Sequence, residues 1–259
     1  MPGLSRGALA EASRRLIAAG CVFAEEEVGE LAEAALGDDQ VLAALVDRRT
    51  TGEPLGWITG TVVFCGCRIG VTPGVFVPRW QSEPLAERAA ELLPADGRAI
   101  DLGTGSGVIA RVLLDRRPGA AVIGTDRDPL AAECARRNGV TVVEGDLFDG
   151  LPSSWKGKVD VVVAVLPYVP TNEIAYLPRD VRAFEPYSAL DGGDDGLLFV
   201  RRAINQAREW LRDGGHALFE IGGDQPERIR SVLETACFGP MRIMVDADGD
   251  TRGIEARAR

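Results

Sequence analysis

Ile100-Asp101-Leu102-Gly103-Thr104-Gly105-Ser106-Gly107, with Asp126 lying 23 residues beyond Gly103, is the stretch that decides how this chain is read. Ala99, Ile100 and Leu102 end an apolar strand. Three glycines at alternate positions then turn the chain so that bare backbone can approach a ligand. Val108 to Leu114 is apolar enough to open a helix, whose N-terminal amides face the same ligand. The next strand, Ala120 to Thr125, delivers Asp126 at its C-terminal end. A carboxylate there accepts hydrogen bonds from both hydroxyls of a ribose. Glycine turn plus acid one strand later indicates a nucleoside cofactor.

Spacing narrows the choice. The dinucleotide fingerprint is G-x-G-x-x-G, serving a pyrophosphate. Here the third glycine comes one residue early, and no Arg or Lys lies between Asp101 and Ala110 to meet a phosphate. A cofactor with an amino-acid tail suits this turn, and S-adenosylmethionine fits. Asp101, Gly103, Thr104, Gly105, Ser106, Gly107 and Asp126 are the candidate cofactor residues.

The chain has 259 residues, 46% hydrophobic and 26% charged, which suits one large α/β domain with a small appendage. A net charge of −10 argues against direct nucleic-acid binding, which needs a basic face. Five scattered cysteines argue for reduced thiols and a cytoplasmic location. Cys65-x-Cys67 has no second Cys pair or nearby His, so no metal is expected. His216, the single histidine, is read as structural. No apolar run reaches membrane-spanning length, and a soluble monomer is expected.

Periodicity organises the rest. Residues 1–52 carry three helical segments, too short to bury much alone. Residues 53–78 read as a linker with strands at 61–64 and 67–71 turning near Gly66, then an extended Val75-Phe76-Val77-Pro78. Residues 79–259 form the cofactor domain: after a helix from Gln81 to Leu93, strands are expected near 98–102, 120–125, 140–143, 159–165, 216–221, 240–246 and 252–257. Helices near 107–116, 129–138, 195–211 and 225–236 alternate with them. That alternation predicts a doubly covered α/β sheet, largely parallel, ending in an antiparallel hairpin around Asp246 to Asp250.

Ligands bind at the C-terminal strand ends of such sheets. The third strand ends in Glu144-Gly145-Asp146-Leu147-Phe148, where Asp146 is placed to accept the adenine amino group and Leu147 or Phe148 to flank the ring. The fourth ends in Val165-Leu166-Pro167-Tyr168, with Pro167 and Tyr168 fixing a loop over the cofactor. Arg79 and Glu83 stand at a helix entry and are candidate substrate-binding residues.

The order of these motifs resembles the HemK-like protein-glutamine methyltransferases, over nearly the whole chain. Glu53-Pro54-Leu55-Gly56-Trp57-Ile58-Thr59-Gly60 is similar to the family's linker, and Pro78-Arg79 with Glu83 to its P-R-P-x-T-E segment. Glu185 to Leu197 is closely similar to its E-P-x-x-A-L-x-G-G-x-D-G-L loop, and Glu220-Ile221-Gly222 with Gln225 to its penultimate strand. The resemblance implies a seven-stranded Rossmann-like methyltransferase sheet behind a helical N-terminal domain. It also implies S-adenosylmethionine as cofactor and a release factor or ribosomal protein as substrate.

One departure stands out. The family signature Asn-Pro-Pro-Tyr is Val165-Leu166-Pro167-Tyr168 here. In the family the Asn side chain and the carbonyl after it hold the glutamine NH2 in line for attack, a positioning role. Valine has no polar atom for this, leaving backbone carbonyls and Tyr168. The catalytic candidates are therefore Tyr168, Pro167 and Val165, with Arg79, Glu83 and Leu166 beside them as substrate-binding residues. The cofactor half reads as intact and the acceptor half as rewritten. Three functions stay open: methylation of a protein glutamine through an altered site, methylation of a small molecule, or cofactor binding without turnover.

Overall fold

The computed structural model describes residues 3–259. Three helices, α1 (Arg6–Ala18), α2 (Ala24–Ala34) and α3 (Asp39–Thr50), come first. The side chains of Ser5 and Asp38 cap α1 and α3, as such residues do when they accept the first free amides of a helix. Leu16, Leu31, Leu42 and Val46 bury together with Ile58 of the short α4 (Leu55–Thr59). Arg49 of α3 pairs with Glu27 of α2 at 2.7 Å.

A hairpin follows, β1 (Thr61–Phe64) and β2 (Cys67–Gly70). Cys65 and Gly66 carry φ of 49° and 76°, the two-residue turn that matches strand twist. Phe64 and Ile69 of the hairpin bury against the main domain. The stretch from Val75 to Pro78 is not a strand. The Val75 carbonyl accepts from the Trp57 indole at 2.9 Å, and Val75 and Val77 bury into two separate small clusters rather than pairing along an edge.

After α5 (Glu83–Leu92) the alternation runs β3 (Arg98–Leu102), α6 (Val108–Arg116), β4 (Ala121–Asp126), α7 (Pro129–Arg137), β5 (Thr141–Glu144) and β6 (Val159–Ala164). A long excursion containing α8 (Arg179–Phe184) leads to α9 (Leu198–Trp210), β7 (Leu211–Phe219), α10 (Gln225–Thr235), β8 (Arg242–Val245) and β9 (Thr251–Arg257). The seven strands lie in the order β5-β4-β3-β6-β7-β9-β8. The first five run parallel; β9 is antiparallel to both neighbours. This is the class I Rossmann-like methyltransferase sheet with its antiparallel end, as the sequence predicts. The last hairpin folds back so that β9, not β8, pairs with β7.

Apolar layers cover both faces. α9 and α10 bury Val200, Ile204, Trp210 and Ile229 on one, while α5 and α6 bury Leu85, Ala89, Ile109 and Leu113 on the other. Strand order reverses between β3 and β6, and the C-terminal strand ends there open a crevice.

Candidate active site

The crevice is a cavity of about 770 Å³, within the range of small-molecule sites. Gly103 and Gly105 line it from the turn after β3. Gly103 has φ of 64° and lies so close to Leu166 that a Cβ would meet Leu166 Cδ2 at 3.0 Å. Only glycine supplies that φ and that approach without strain. Gly105 donates its amide hydrogen to Asp126 Oδ2 at 2.9 Å, and Asp128 donates to Oδ1 at 2.9 Å. The Asp126 carboxylate is thereby locked at the cavity wall, and each oxygen keeps a lone pair for a ligand hydroxyl. Burial pushes its pKa up, against the two amides that pull it down.

The other residues of the turn stand behind the wall. Asp101 is fully buried; it accepts from the Thr104 hydroxyl at 2.6 Å and the Ala110 amide at 3.1 Å. Burial pushes its carboxyl to about 7. Gly107 caps α6 and abuts Ala135 of α7. Ser106 is buried. Asp101, Thr104, Ser106 and Gly107 shape the turn rather than line the cavity.

Asp146 and Leu147 line the cavity beyond β5. Arg202 holds one Asp146 oxygen at 2.6 Å. Phe148 points elsewhere. Its ring stacks on Trp210 at 5.6 Å in the core, so it does not flank a ligand, because Leu147 at φ 56° turns the chain between them.

Val165, Leu166, Pro167 and Tyr168 line the cavity beyond β6, next to Gly103. A hydrogen-bonded loop fixes them there. Gln225 Nε2 donates to the carbonyls of Tyr168 at 2.9 Å and Asp195 at 3.2 Å, while Gln225 Oε1 accepts from the Gly222 amide at 2.9 Å. Val169 accepts from the Gly192 amide at 2.8 Å. At Gly196 a Cβ would meet the Tyr168 carbonyl at 2.1 Å, so the loop has room for nothing larger. The long motif from Glu185 to Leu197 thus supports the strand-end turn from behind.

Arg79 also lines the cavity. It is ion-paired with the buried Glu185 and lies 5.2 Å above the Phe76 ring. Glu83 does not line it; its carboxylate accepts the Cys65 amide at 3.0 Å and ties the hairpin to α5. That bond accounts for an acid at this helix start. His216 likewise meets Glu255 at 3.1 Å, within the sheet.

Glu220, Gln81 and Arg252 are among the cavity residues to which the sequence assigned no role. Glu220 follows β7 and is 6% exposed. Burial raises its pKa, while the Ser82 and Tyr168 hydroxyls and the charge of Arg252 pull it down. Strand alternation carried past Leu218 could have placed Glu220 on the Leu218 face of its strand. Arg252 had no such signal, since the last hairpin brings it in from the end of the chain. Arg252 pairs with Asp246 at 2.6 Å and covers the exposed Trp80 ring at 5.8 Å.

Fit to a nucleoside cofactor rests on this geometry. The site offers bare backbone at Gly103 and Gly105, a locked carboxylate at Asp126, and an acid and an apolar side chain at Asp146 and Leu147 in one cavity.

Comparison with known proteins agrees. The methyltransferase domain family matches residues 99–184. The release factor glutamine methyltransferase of Moorella thermoacetica is 38% identical over 98% of this chain and 98% of its own. That of Mycolicibacterium smegmatis is 38% identical over 97% and 96%, and that of Geobacter sulfurreducens 37% identical over 82% and 76%. Among solved structures, the hMettl16 catalytic domain superposes with a TM-score of 0.58 at 17% identity, covering 74% of this chain and 76% of that one. Ribosomal protein L11 methylase from Lactobacillus delbrueckii subsp. bulgaricus superposes at 0.50 with 20% identity, covering 73% and 83%. These two likenesses concern the fold.

Proposed function

We propose, from the premise that this chain belongs to the release factor glutamine methyltransferase family and is an S-adenosylmethionine-dependent methyltransferase, that it methylates a side-chain amide nitrogen of a protein through a modified acceptor pocket. The observation that carries the reading is that Asp126 and the Val165 to Tyr168 turn line one cavity.

The cofactor supplies a methyl group made electrophilic by its sulfonium. On this reading the Asp126 carboxylate holds the ribose hydroxyls, the Gly103 and Gly105 backbone meets the amino-acid end, Asp146 takes the adenine amino group and Leu147 flanks the ring. Tyr168 orients the acceptor through its hydroxyl, and Pro167 fixes the turn that carries it. Val165, Leu166 and Phe76 exclude water, which strengthens each polar contact inside. Residues 1–52 act as a unit that recruits the protein substrate, 53–78 as its linker, and 79–259 as the transfer domain.

Val165 itself favours a second reading, a small-molecule acceptor that needs no amide clamp. Labelled cofactor and purified protein incubated with a cell extract, followed by mass spectrometry, separate the two. A methylated glutamine in a release factor supports the first reading. A methylated small molecule, with no labelled peptide, replaces it by the second.

A further inference from the structure

We propose that Glu220 and Gln81 together form a clamp that holds the NH2 group of the acceptor, beside the Val165 that has no polar atom for this; this rests on the methyl-transfer reading above. β6 and β7 are parallel, with Ala164 opposite Phe219, and the Glu220 amide donates to the Ala164 carbonyl at 3.0 Å. Val163, Val165 and Leu218 pack into the same apolar layer. Glu220 comes two residues after Leu218, so it leaves the sheet on the face that Val165 uses, one strand over. Adjacent strands are about 4.8 Å apart. A polar side chain therefore stands beside position 165 from the neighbouring strand.

The atoms left free match this role. Glu220 Oε2 and Gln81 Oε1 are buried without a hydrogen-bond partner among the described residues, and both residues line the cavity. Buried acceptors left without donors are costly and rare, and they mark places where a ligand completes the bonding. The hydroxyls of Ser82, next to Gln81 at the entry to α5, and of Tyr168 lower the Glu220 pKa against its burial. The nearby Arg252 and Arg79 are committed to Asp246 and Glu185, so neither neutralises Glu220 through a direct ion pair.

Two free acceptors ask for one group with two N–H bonds. A primary amide gives one hydrogen to each and turns its nitrogen toward the cofactor side of the cavity. A carboxylate of the same shape gives none and is repelled by Glu220. The clamp thus selects glutamine over glutamate.

The test is calorimetry on the full chain loaded with S-adenosylhomocysteine, which permits binding without turnover. The probes are a release factor peptide with its modified glutamine and the same peptide with glutamate there. Wild type should prefer glutamine by at least about tenfold. Glu220→Gln should lose most of that preference, and Gln81→Met should weaken the glutamine peptide several-fold. S-adenosylhomocysteine affinity in both variants should stay within about twofold, which shows that they are folded. If both variants keep the wild-type affinity and preference, the clamp is overturned and the methyl-transfer reading stands. If wild type binds neither peptide, the protein-glutamine reading fails. The clamp is then read on propionamide, where equal affinity in wild type and both variants overturns it.

Discussion

The Gly105 amide donates to Asp126 Oδ2 at 2.9 Å, so the turn after β3 and the acid after β4 are one rigid unit. Each fixes the other before any ligand arrives. Pre-set polar groups of this kind lower the ordering cost of binding.

Asp126→Ala should weaken S-adenosylmethionine by roughly 1.5–3 kcal/mol, since a charged acceptor is lost from two hydroxyls and the turn loses its anchor. Asp126→Asn should fall between the variant and the wild type. Calorimetry reads both. Unchanged affinity in the alanine variant would remove Asp126 from the ribose.

Asp101 makes stability depend on pH. Burial raises its carboxyl from 3.8 to about 7. Between those values the folded chain keeps a proton that the unfolded chain has released. Stability therefore falls as pH rises from about 4 to about 7, then levels, by up to roughly 4 kcal/mol from this group. Asp101→Asn removes the titration. Across that window the stability difference should shift in the variant's favour, as followed by urea unfolding at several pH values. Parallel curves for the two proteins would contradict the raised carboxyl.

Val165→Asn returns an amide to the strand end, beside Glu220 on the same sheet face. Turnover of a release factor glutamine peptide should rise by about tenfold, the worth of one oriented hydrogen bond. The gain stays below the roughly hundredfold cost of losing a whole clamp because Glu220 and Gln81 supply part of it. A variant no faster than wild type would show that position 165 does not limit the acceptor step.

Gln225→Ala removes three hydrogen bonds that join Tyr168, Asp195 and Gly222. The loop behind the acceptor wall should loosen at a cost of about 1–3 kcal/mol. Transfer should slow more than cofactor binding weakens, because Asp126 and the glycine turn lie outside this network. Equal losses in both measurements would mean that Gln225 supports the fold as a whole.

A chain starting at Glu53 should still bind cofactor, since the cavity draws none of its lining from residues before 75. It should be destabilised by about 1–3 kcal/mol, because Ile58 loses the cover of α1 to α3. Failure of this shortened chain to fold would make the helices part of the core.

The sequence by itself determined the local chemistry. Strand, glycine turn and the acid of the next strand are short-range features, set by backbone freedom at Gly103 and Gly105 and by apolar runs in β3 and β4. The seven strands, their alternation with helices and the closing hairpin were legible for the same reason. In the Val75 to Pro78 stretch β-branched residues mark burial as readily as pairing, and only the Trp57 bond and the two flanking clusters decide between them. The sequence left Leu147 and Phe148 as alternatives, and one residue at positive φ decides between them by reversing the side of the chain on which a ring falls. The tertiary structure alone decided that β9 enters between β7 and β8, bringing Arg252 to the cavity. It alone set the register that stands Glu220 beside Val165, residues 55 positions apart in the chain. Such register is chosen by which faces of distant strands bury together, and no local propensity encodes it.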